Sequence, residues 1–441
     1  ALVRMAVAKV AHQGPLYPVE VPITAAALVV GGGAAGMAAA LEIADQGPEV
    51  YLVEKGPRLG GHLNQLRATW QGASLDAYRD DQVARVEAHS RIHLHLGAEV
   101  ARTGGSLGQF STEIITAEGD TVHVAHAVTV LATGGREYVP EEYLYGKHPQ
   151  VLTHLDLDQA MTREPERFEG LKSVVFIQCV GSRTEERPHC SKVCCTHSLK
   201  AALALKQQNP STRVVVLYRD IRTYGLRETL YQECRRLGVL FIRYTRKQPP
   251  SVAMDTDNKL LLTVVDPLLD RPVRIRPDML VLAAAILPNA NRALYELFKV
   301  PVNATGFLVE AHAKLRPVEM ASEGIFLAGL AHYPKPLEES VAQAQAAAAK
   351  AMTILAKPYL MAGGVVAEVE AGRCAACLTC VRTCPYHIPR VDEHSHAVID
   401  PALCHGCGTC AAECPGKAIT LAHFTDDQLI AKSAALVADP V

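Results

Sequence analysis

Two stretches near the end of the chain repeat one cysteine pattern: CAACLTCVRTCP begins at Cys374 and CHGCGTCAAECP at Cys404. Each reads C-x-x-C-x-x-C-x-x-x-C-P, a spacing in which three thiolates hold one iron-sulfur cubane and the fourth crosses to its neighbour. The two runs must therefore interlock. Cys374, Cys377, Cys380 and Cys414 are expected to ligate one [4Fe-4S] cluster, and Cys404, Cys407, Cys410 and Cys384 the other. Zinc knuckles or a disulfide framework are the competing readings, and the doubled spacing closed by proline weighs against both. A segment built in this way moves single electrons.

The remainder has to supply or receive those electrons, and 441 residues leave room for two or three domains. A hydrophobic share of 49% with 20% charged residues is that of a packed globular protein. The net charge of -2 comes without a basic block, so neither nucleic acid nor an anionic membrane is an expected partner. The longest apolar stretch, Ala25 to Leu41, is interrupted by Gly31, Gly32, Gly33 and Gly36 and is no membrane span. Thirteen cysteines, eight of them in the two runs, fit a reducing compartment, and the cytoplasm is expected. The opening ALVRMAVAKVAHQGPL has no initiator methionine or signal pattern and reads as a helix already under way, as in a processed or truncated form of a longer chain.

From Ala26 the sequence ALVVGGGAAGMAAALEIADQGPEVYLVEK gives an apolar strand, a glycine turn, a helix and a second strand ending in an acid. Gly31, Gly33 and Gly36 occupy the G-x-G-x-x-G places, with Ala34 and Ala35 between them. Such glycines let the backbone approach a pyrophosphate whose charge sits at the N-terminus of the following helix. Glu54, followed by Lys55, is placed for a ribose hydroxyl. Downstream, KGPRLGGHL supplies Gly60 and Gly61, and VTVLATGG supplies Ala132, Thr133 and Gly134. With GIFLAGL, which contains Gly329, and the alanine-rich segment after it, these motifs resemble the two-dinucleotide-domain flavoproteins such as thioredoxin reductase. The resemblance implies FAD. Where that family has aspartate after AG, this chain has Leu330, so the ribityl contact must come from elsewhere.

Between the FAD segments, relatives of that kind carry a second glycine-rich turn for a nicotinamide cofactor, and this chain has CVGSRTEERPHCSKVCCTHSLK. Cys179, Cys190, Cys194 and Cys195 stand at the strand end and helix start. A third [4Fe-4S] cluster is the main reading, because a helix N-terminus offsets thiolate charge. A dithiol-disulfide pair and buried structural cysteines remain as alternatives. His189 and His197 read as supporting or surface residues, and Cys234 as core.

QCVGSR, the Cys190-x-x-x-Cys194-Cys195 group, LYRDIRTYG, FLVEAHAKLRPV and AECPGKAITLAHFTDDQLIAK together resemble the heterodisulfide reductase A-like iron-sulfur flavoproteins, bacterial relatives included. The opening LVRMAVAKV resembles the joint after that family's N-terminal cluster domain. The resemblance implies an oxidoreductase subunit of an anaerobic complex, with FAD exchanging electron pairs and three clusters carrying them singly, in some members by flavin-based electron bifurcation. Implied partners are heterodisulfide reductase B- and C-like subunits, hydrogenase or dehydrogenase subunits that feed electrons in, ferredoxin, and a second copy of the chain. Lys335 in HYPKPLEES matches a family lysine near the flavin, and from the chain alone reads equally as a solvated loop residue.

The expected fold is α/β: a thioredoxin-reductase-like two-dinucleotide-domain flavoprotein followed by a bacterial-type 2[4Fe-4S] ferredoxin domain of α+β class. Residues 1-24 are expected as an N-terminal helix and linker, 25-150 and 286-356 as the FAD domain, and 151-285 as the inserted cluster-bearing region. Residues 357-422 form the expected ferredoxin domain and 423-441 a tail, with a glycine-containing linker near Met361 to Gly364. Two other functions compete. A self-sufficient NAD(P)H-dependent iron-sulfur flavoprotein would show flavin reduction by NADH, and a wiring protein with an empty flavin fold would bind no flavin.

Overall fold

In the computed structural model, residues 1-362, 364-401 and 403-438 are described. Gly363, inside the expected linker, and the last three residues of the expected tail lie outside them. The chain forms two compact units, one of Ala25–Leu355 and one joining Ala1–Thr24 to Ala356–Val441.

The larger unit is built on two parallel sheets. In the first, the strand order is Ile325–Leu327, Val128–Leu131, Ala26–Val30, Glu49–Glu54, Ile92–Leu96. Val30 lies opposite both Val53 and Leu131, which brings the C-terminal ends of three strands to one level. Ala26–Val30 is buried throughout, which is why it reads as an unbroken apolar run rather than an alternating one. Helix Ala34–Ala44 covers the sheet and packs along helix Leu337–Leu355. The latter buries Ala344, Ala347, Ala348 and Ala351, spaced as one helical face, and residues this small allow two helices to lie close.

Residues Ser173–Val180, Arg213–Tyr218 and Leu240–Arg243, with Met279–Ala284 and Val151–Thr153 on the other side, form the second parallel sheet. Its core is Leu157, Phe176, Leu199, Val214, Val216 and Val281 on one face. Cys234 is fully buried in the same cluster. The helix that follows the first of these strands is Cys194–Gln208. A two-stranded antiparallel pair, Gly135–Glu137 against Ile286–Pro288, joins the two sheet systems. Both helices Ala34–Ala44 and Cys194–Gln208 start at the C-terminal edge of a parallel strand, the position at which open α/β sheets bind ligands.

The smaller unit pairs Ala367–Val369 with Ile419–Leu421 and Arg390–Val391 with Ala397–Val398, all antiparallel. Two short helices, Thr379–Thr383 and Thr409–Ala412, lie between these strands. Its core is small and made partly of cysteine: Cys380 and Cys410 pack with Ala367, Ala397, Ile419 and Leu421. Strand Val19–Pro22 pairs with Tyr359–Ala362, and helix Leu2–Val10 lies against helix Asp426–Val437. Gln428 fastens the latter pair: its Oε1 accepts from Thr425 N at 3.1 Å and its Nε2 donates to His12 O at 2.9 Å. Among the described residues, no helix is long and apolar enough to cross a membrane.

One backbone approach sets the geometry of the first sheet. A Cβ added to Gly36 would lie 1.7 Å from the Gly31 carbonyl oxygen, so helix and strand meet at a distance that only glycine permits. Gly36→Ala is expected to lower stability by about 1–3 kcal/mol through overpacking. Gly104→Ala, whose added Cβ meets nothing within 4 Å, serves as the control. Thermal unfolding of the two variants beside the parent checks this.

Candidate cofactor sites

A cavity of about 900 Å³ opens where the two sheet systems meet. Its volume is in the upper range for cofactor pockets. Gly31, Gly33, Ala34, Ala35, Glu54, Gly60, Gly61, Ala132, Thr133, Gly134, Gly329 and Lys335 all line it. The sequence spreads these residues over most of the larger unit; the sheet edge brings them together. Gly36 lies beneath, against Gly31, and shapes the wall without reaching the cavity. Lys55 does not line the cavity: it follows the strand end at Glu54, and its ammonium pairs with Glu99 at 2.7 Å in solvent.

The cavity wall fits a dinucleotide. Gly31 has φ +111°, and a Cβ there would lie 2.3 Å from Ala132 O, so only glycine lets this turn lie so close to the ATG segment. Helix Ala34–Ala44 begins at Gly33 with its first N–H groups directed to the turn, the arrangement that binds phosphate. Glu54 is held by Gly32 N–H on Oε2 and Gly56 N–H on Oε1, both at 2.6 Å. A carboxylate has about four lone-pair sites, so acceptor capacity remains for a ribose hydroxyl.

Lys335 is not a solvated loop residue. Its Nζ donates to Gly329 O at 2.7 Å and Tyr333 O at 3.0 Å. Burial, reinforced by the charge of Lys192, pushes its ammonium down to about 7. Several further cavity residues escape a motif search. Burial pushes Glu137 up to about 7. Asn289 Nδ2 donates to Thr133 O at 2.7 Å, tying the ATG turn to the strand connection. Asp158, 2% exposed, lies under His197 and Lys200, which themselves line the cavity. Burial works against the Asp158 carboxylate, but His197 Nε2 at 3.1 Å and Lys200 Nζ at 3.3 Å hold it below the usual range. The ring of His197 stacks on His154 with centroids 4.4 Å apart, so His197 is a buried partner and not a surface residue. No spacing signal marks these groups, because they come from two helices, a strand end and a loop.

The four central cysteines do converge. Cys179, next to the last residue of its strand, has φ +62°, and Cys194 and Cys195 open their helix. Cys194 lies within electrostatic reach of Cys195, Cys179 and Cys190, and also lines the large cavity. Burial first, and then the neighbouring thiols, push Cys194 well up; burial likewise takes Cys195 to about 11. Cys179, Cys194 and Cys195, costly to ionise singly, suit a cationic iron centre that binds them as thiolates. Lys192 N–H donates to Cys190 Sγ at 3.4 Å. His189, 8% exposed, packs its ring on Phe307 and Tyr333.

In the smaller unit, a second cavity is lined by Cys374, Cys377, Cys380 and Cys414, the first expected set with its crossing member. Cys410 is in turn surrounded by Cys404, Cys407 and Cys384. Backbone N–H groups point at the sulfurs: Ala397 N to Cys374 at 3.3 Å, Ala418 N to Cys414 at 3.3 Å and Ala367 N to Cys404 at 3.4 Å. Such donors stabilise thiolate sulfur around an iron-sulfur cage. The surroundings therefore fit clusters, although among the described residues no three His, Cys, Asp or Glu side chains close on a single-ion site.

Comparison with known proteins agrees with this chemistry. The FAD binding domain family matches residues 26–93, and the 4Fe-4S dicluster domain family matches residues 373–419. The A-type subunit of the H(2):CoB-CoM heterodisulfide,ferredoxin reductase of Methanothermobacter marburgensis is 32% identical over 100% of this chain and 80% of its own length. One of the A-type iron-sulfur subunits of the CoB--CoM heterodisulfide reductase of Methanopyrus kandleri is 32% identical over 87% of this chain and 73% of its own. Among solved structures, thioredoxin reductase from Lactococcus lactis has a TM-score of 0.51 at 16% identity, covering 75% of this chain and 98% of the other. That from T. acidophilum has a TM-score of 0.50 at 17% identity, covering 74% and 97%. The two-dinucleotide-domain flavoprotein fold with a C-terminal 4Fe-4S domain is therefore as expected, as are FAD and iron-sulfur clusters as cofactors.

The Lys335 amine gives a pH signature. Its folded value of about 7 lies below the unfolded value of about 10.4, so between these the unfolded chain binds the extra proton and stability rises with pH. Urea unfolding between pH 7 and 9 is expected to show this rise, and Lys335→Met to lack it.

Proposed function

Because the chain belongs to the heterodisulfide reductase A family, we propose that it is the FAD and iron-sulfur electron-transfer component of an anaerobic redox complex, linking pairwise flavin chemistry to one-electron flow. The observation that carries this reading is Cys194, which belongs to the four-thiol site and to the wall of the flavin cavity at once. FAD supplies two-electron or one-electron exchange, and a [4Fe-4S] cluster exchanges one electron at a time.

The residues divide the work as follows. Gly31, Gly33 and the N–H groups of Ala34 and Ala35 bind the pyrophosphate, and Glu54 accepts from the ribose. Gly60, Gly61, Ala132, Thr133, Gly134 and Gly329 give the backbone close access. Lys335 places an amine that is half protonated near neutral pH on the cavity wall, where it tunes charge and hydrogen bonding. Cys179, Cys190, Cys194 and Cys195 hold one cluster. The two sets in the smaller unit hold two more, for exchange with other subunits. The names of relatives pair a heterodisulfide with ferredoxin, which supports a finer reading in which electrons part between a disulfide and ferredoxin by bifurcation.

The test is anaerobic purification with metal, flavin and partner analysis. One FAD and the iron of three cubanes per chain are expected, together with copurifying redox subunits and no flavin bleaching by NADH. Cys194→Ser is expected to lose iron equal to one cubane while the dicluster signal stays, and Cys414→Ser the reverse. Rapid reduction of the isolated chain by NADH would instead establish a self-sufficient reductase.

A further inference from the structure

Beside the four-thiol site stands a group of arginines gathered by one carboxylate. Asp220 Oδ2 takes Arg183 Nη2 at 2.6 Å and Arg222 Nη2 at 3.7 Å, and its Oδ1 takes Arg243 Nη2 at 3.8 Å. The other arm of the Arg183 guanidinium, Nη1, reaches Cys179 Sγ at 3.9 Å. Arg219 Nη1 donates to Arg183 O at 3.0 Å and braces the same loop. Asp220 belongs to the site from its other side too, since its carbonyl oxygen lies 3.7 Å from Cys195 Sγ.

The loop is shaped to hold this contact. Cys179 and Arg183 both have left-handed φ, +62° and +57°, which residues with a side chain keep only where their surroundings impose it. The Arg183 side chain is 18% exposed, in a setting where charges interact more strongly than in water.

We propose that Arg183, aimed by Asp220, is a positioning residue that raises the reduction potential of the cluster at Cys179, Cys190, Cys194 and Cys195. This inference rests on the cluster proposed above. On reduction the centre gains one electron from its donor, with no bond made or broken, and becomes more negative by one charge. A fixed cation on a ligand sulfur stabilises the reduced form more than the oxidised one. The same arginine offsets the thiolate charge that burial makes costly.

The test is an EPR-monitored redox titration of the anaerobically purified full chain, with dithionite as reductant. The relevant signal is the one lost in Cys195→Ser and kept in Cys404→Ser. In Arg183→Gln the reduced-to-oxidised ratio of that signal at fixed potential is expected to fall about tenfold, a downward shift of ~59 mV for a one-electron couple. Arg243→Gln, on an exposed arginine on the same carboxylate, is expected to shift it less. If Arg183→Gln fails to assemble the centre, Arg183→Lys, which keeps the charge but loses the planar fork, is expected to give a smaller downward shift. An unchanged midpoint in the Arg183 variants, or an equal shift in Arg243→Gln, overturns the role of Arg183. A parent chain in which Cys195→Ser removes neither signal nor iron overturns the cluster reading itself, and this inference with it.

Discussion

The larger unit depends on how closely its backbone can approach itself at the C-terminal edge of the first sheet. Gly31 faces Ala132 O and Gly36 faces Gly31 O, at distances that leave no room for a Cβ at either glycine. That closeness draws the strand ends, the helix start at Gly33 and the ATG turn into one wall. Without it the helix would stand off the sheet, and its free N–H groups would open onto no shared cavity. The second sheet repeats the arrangement, with helix Cys194–Gln208 starting at a strand edge facing the same cavity. The large cavity and the four-cysteine group thus share a wall because two parallel sheets present equivalent edges to each other.

Charge is the second constraint. Thiolate sulfur carries charge, and the fold meets each group of cysteines with donors or cations. In the smaller unit the donors are backbone N–H groups of Ala367, Ala397 and Ala418. At the central site, the loop from Cys179 to Cys195 brings Arg183, with Lys192 N–H on Cys190. The same cavity carries a second buried charge system, Asp158 with His197 and Lys200. A redox protein that stores and passes electrons needs such compensation, since each electron adds charge where water cannot screen it.

Much of this was legible in the order of residues. The doubled cysteine runs pointed to 4Fe-4S chemistry, because cluster ligation ties chemistry to spacing along the chain. The glycine fingerprint with Glu54 was equally readable, since a strand, turn, helix and acid in order form one local unit. Lys335 stood at the limit: family resemblance suggested a place near the flavin, and only its carbonyl partners and burial set aside the solvated loop. Lys55 shows the opposite case: it adjoins Glu54 in sequence, yet its ammonium pairs with Glu99 in solvent, outside the cavity lining.

What the sequence alone determined, then, was the kind of chemistry: FAD, iron-sulfur clusters, an oxidoreductase family, and the α/β fold that carries them. It could do so because those signals are periodic or locally spaced. Only the tertiary structure decided that Cys194 borders the large cavity, that Asp158 lies beneath His197 and Lys200, and that Arg183 touches Cys179 while held by Asp220. Contacts of this kind join residues from separate strands, helices and loops. No pattern along one stretch of chain encodes them, because they exist only once the two sheets have packed and their edges face the same space.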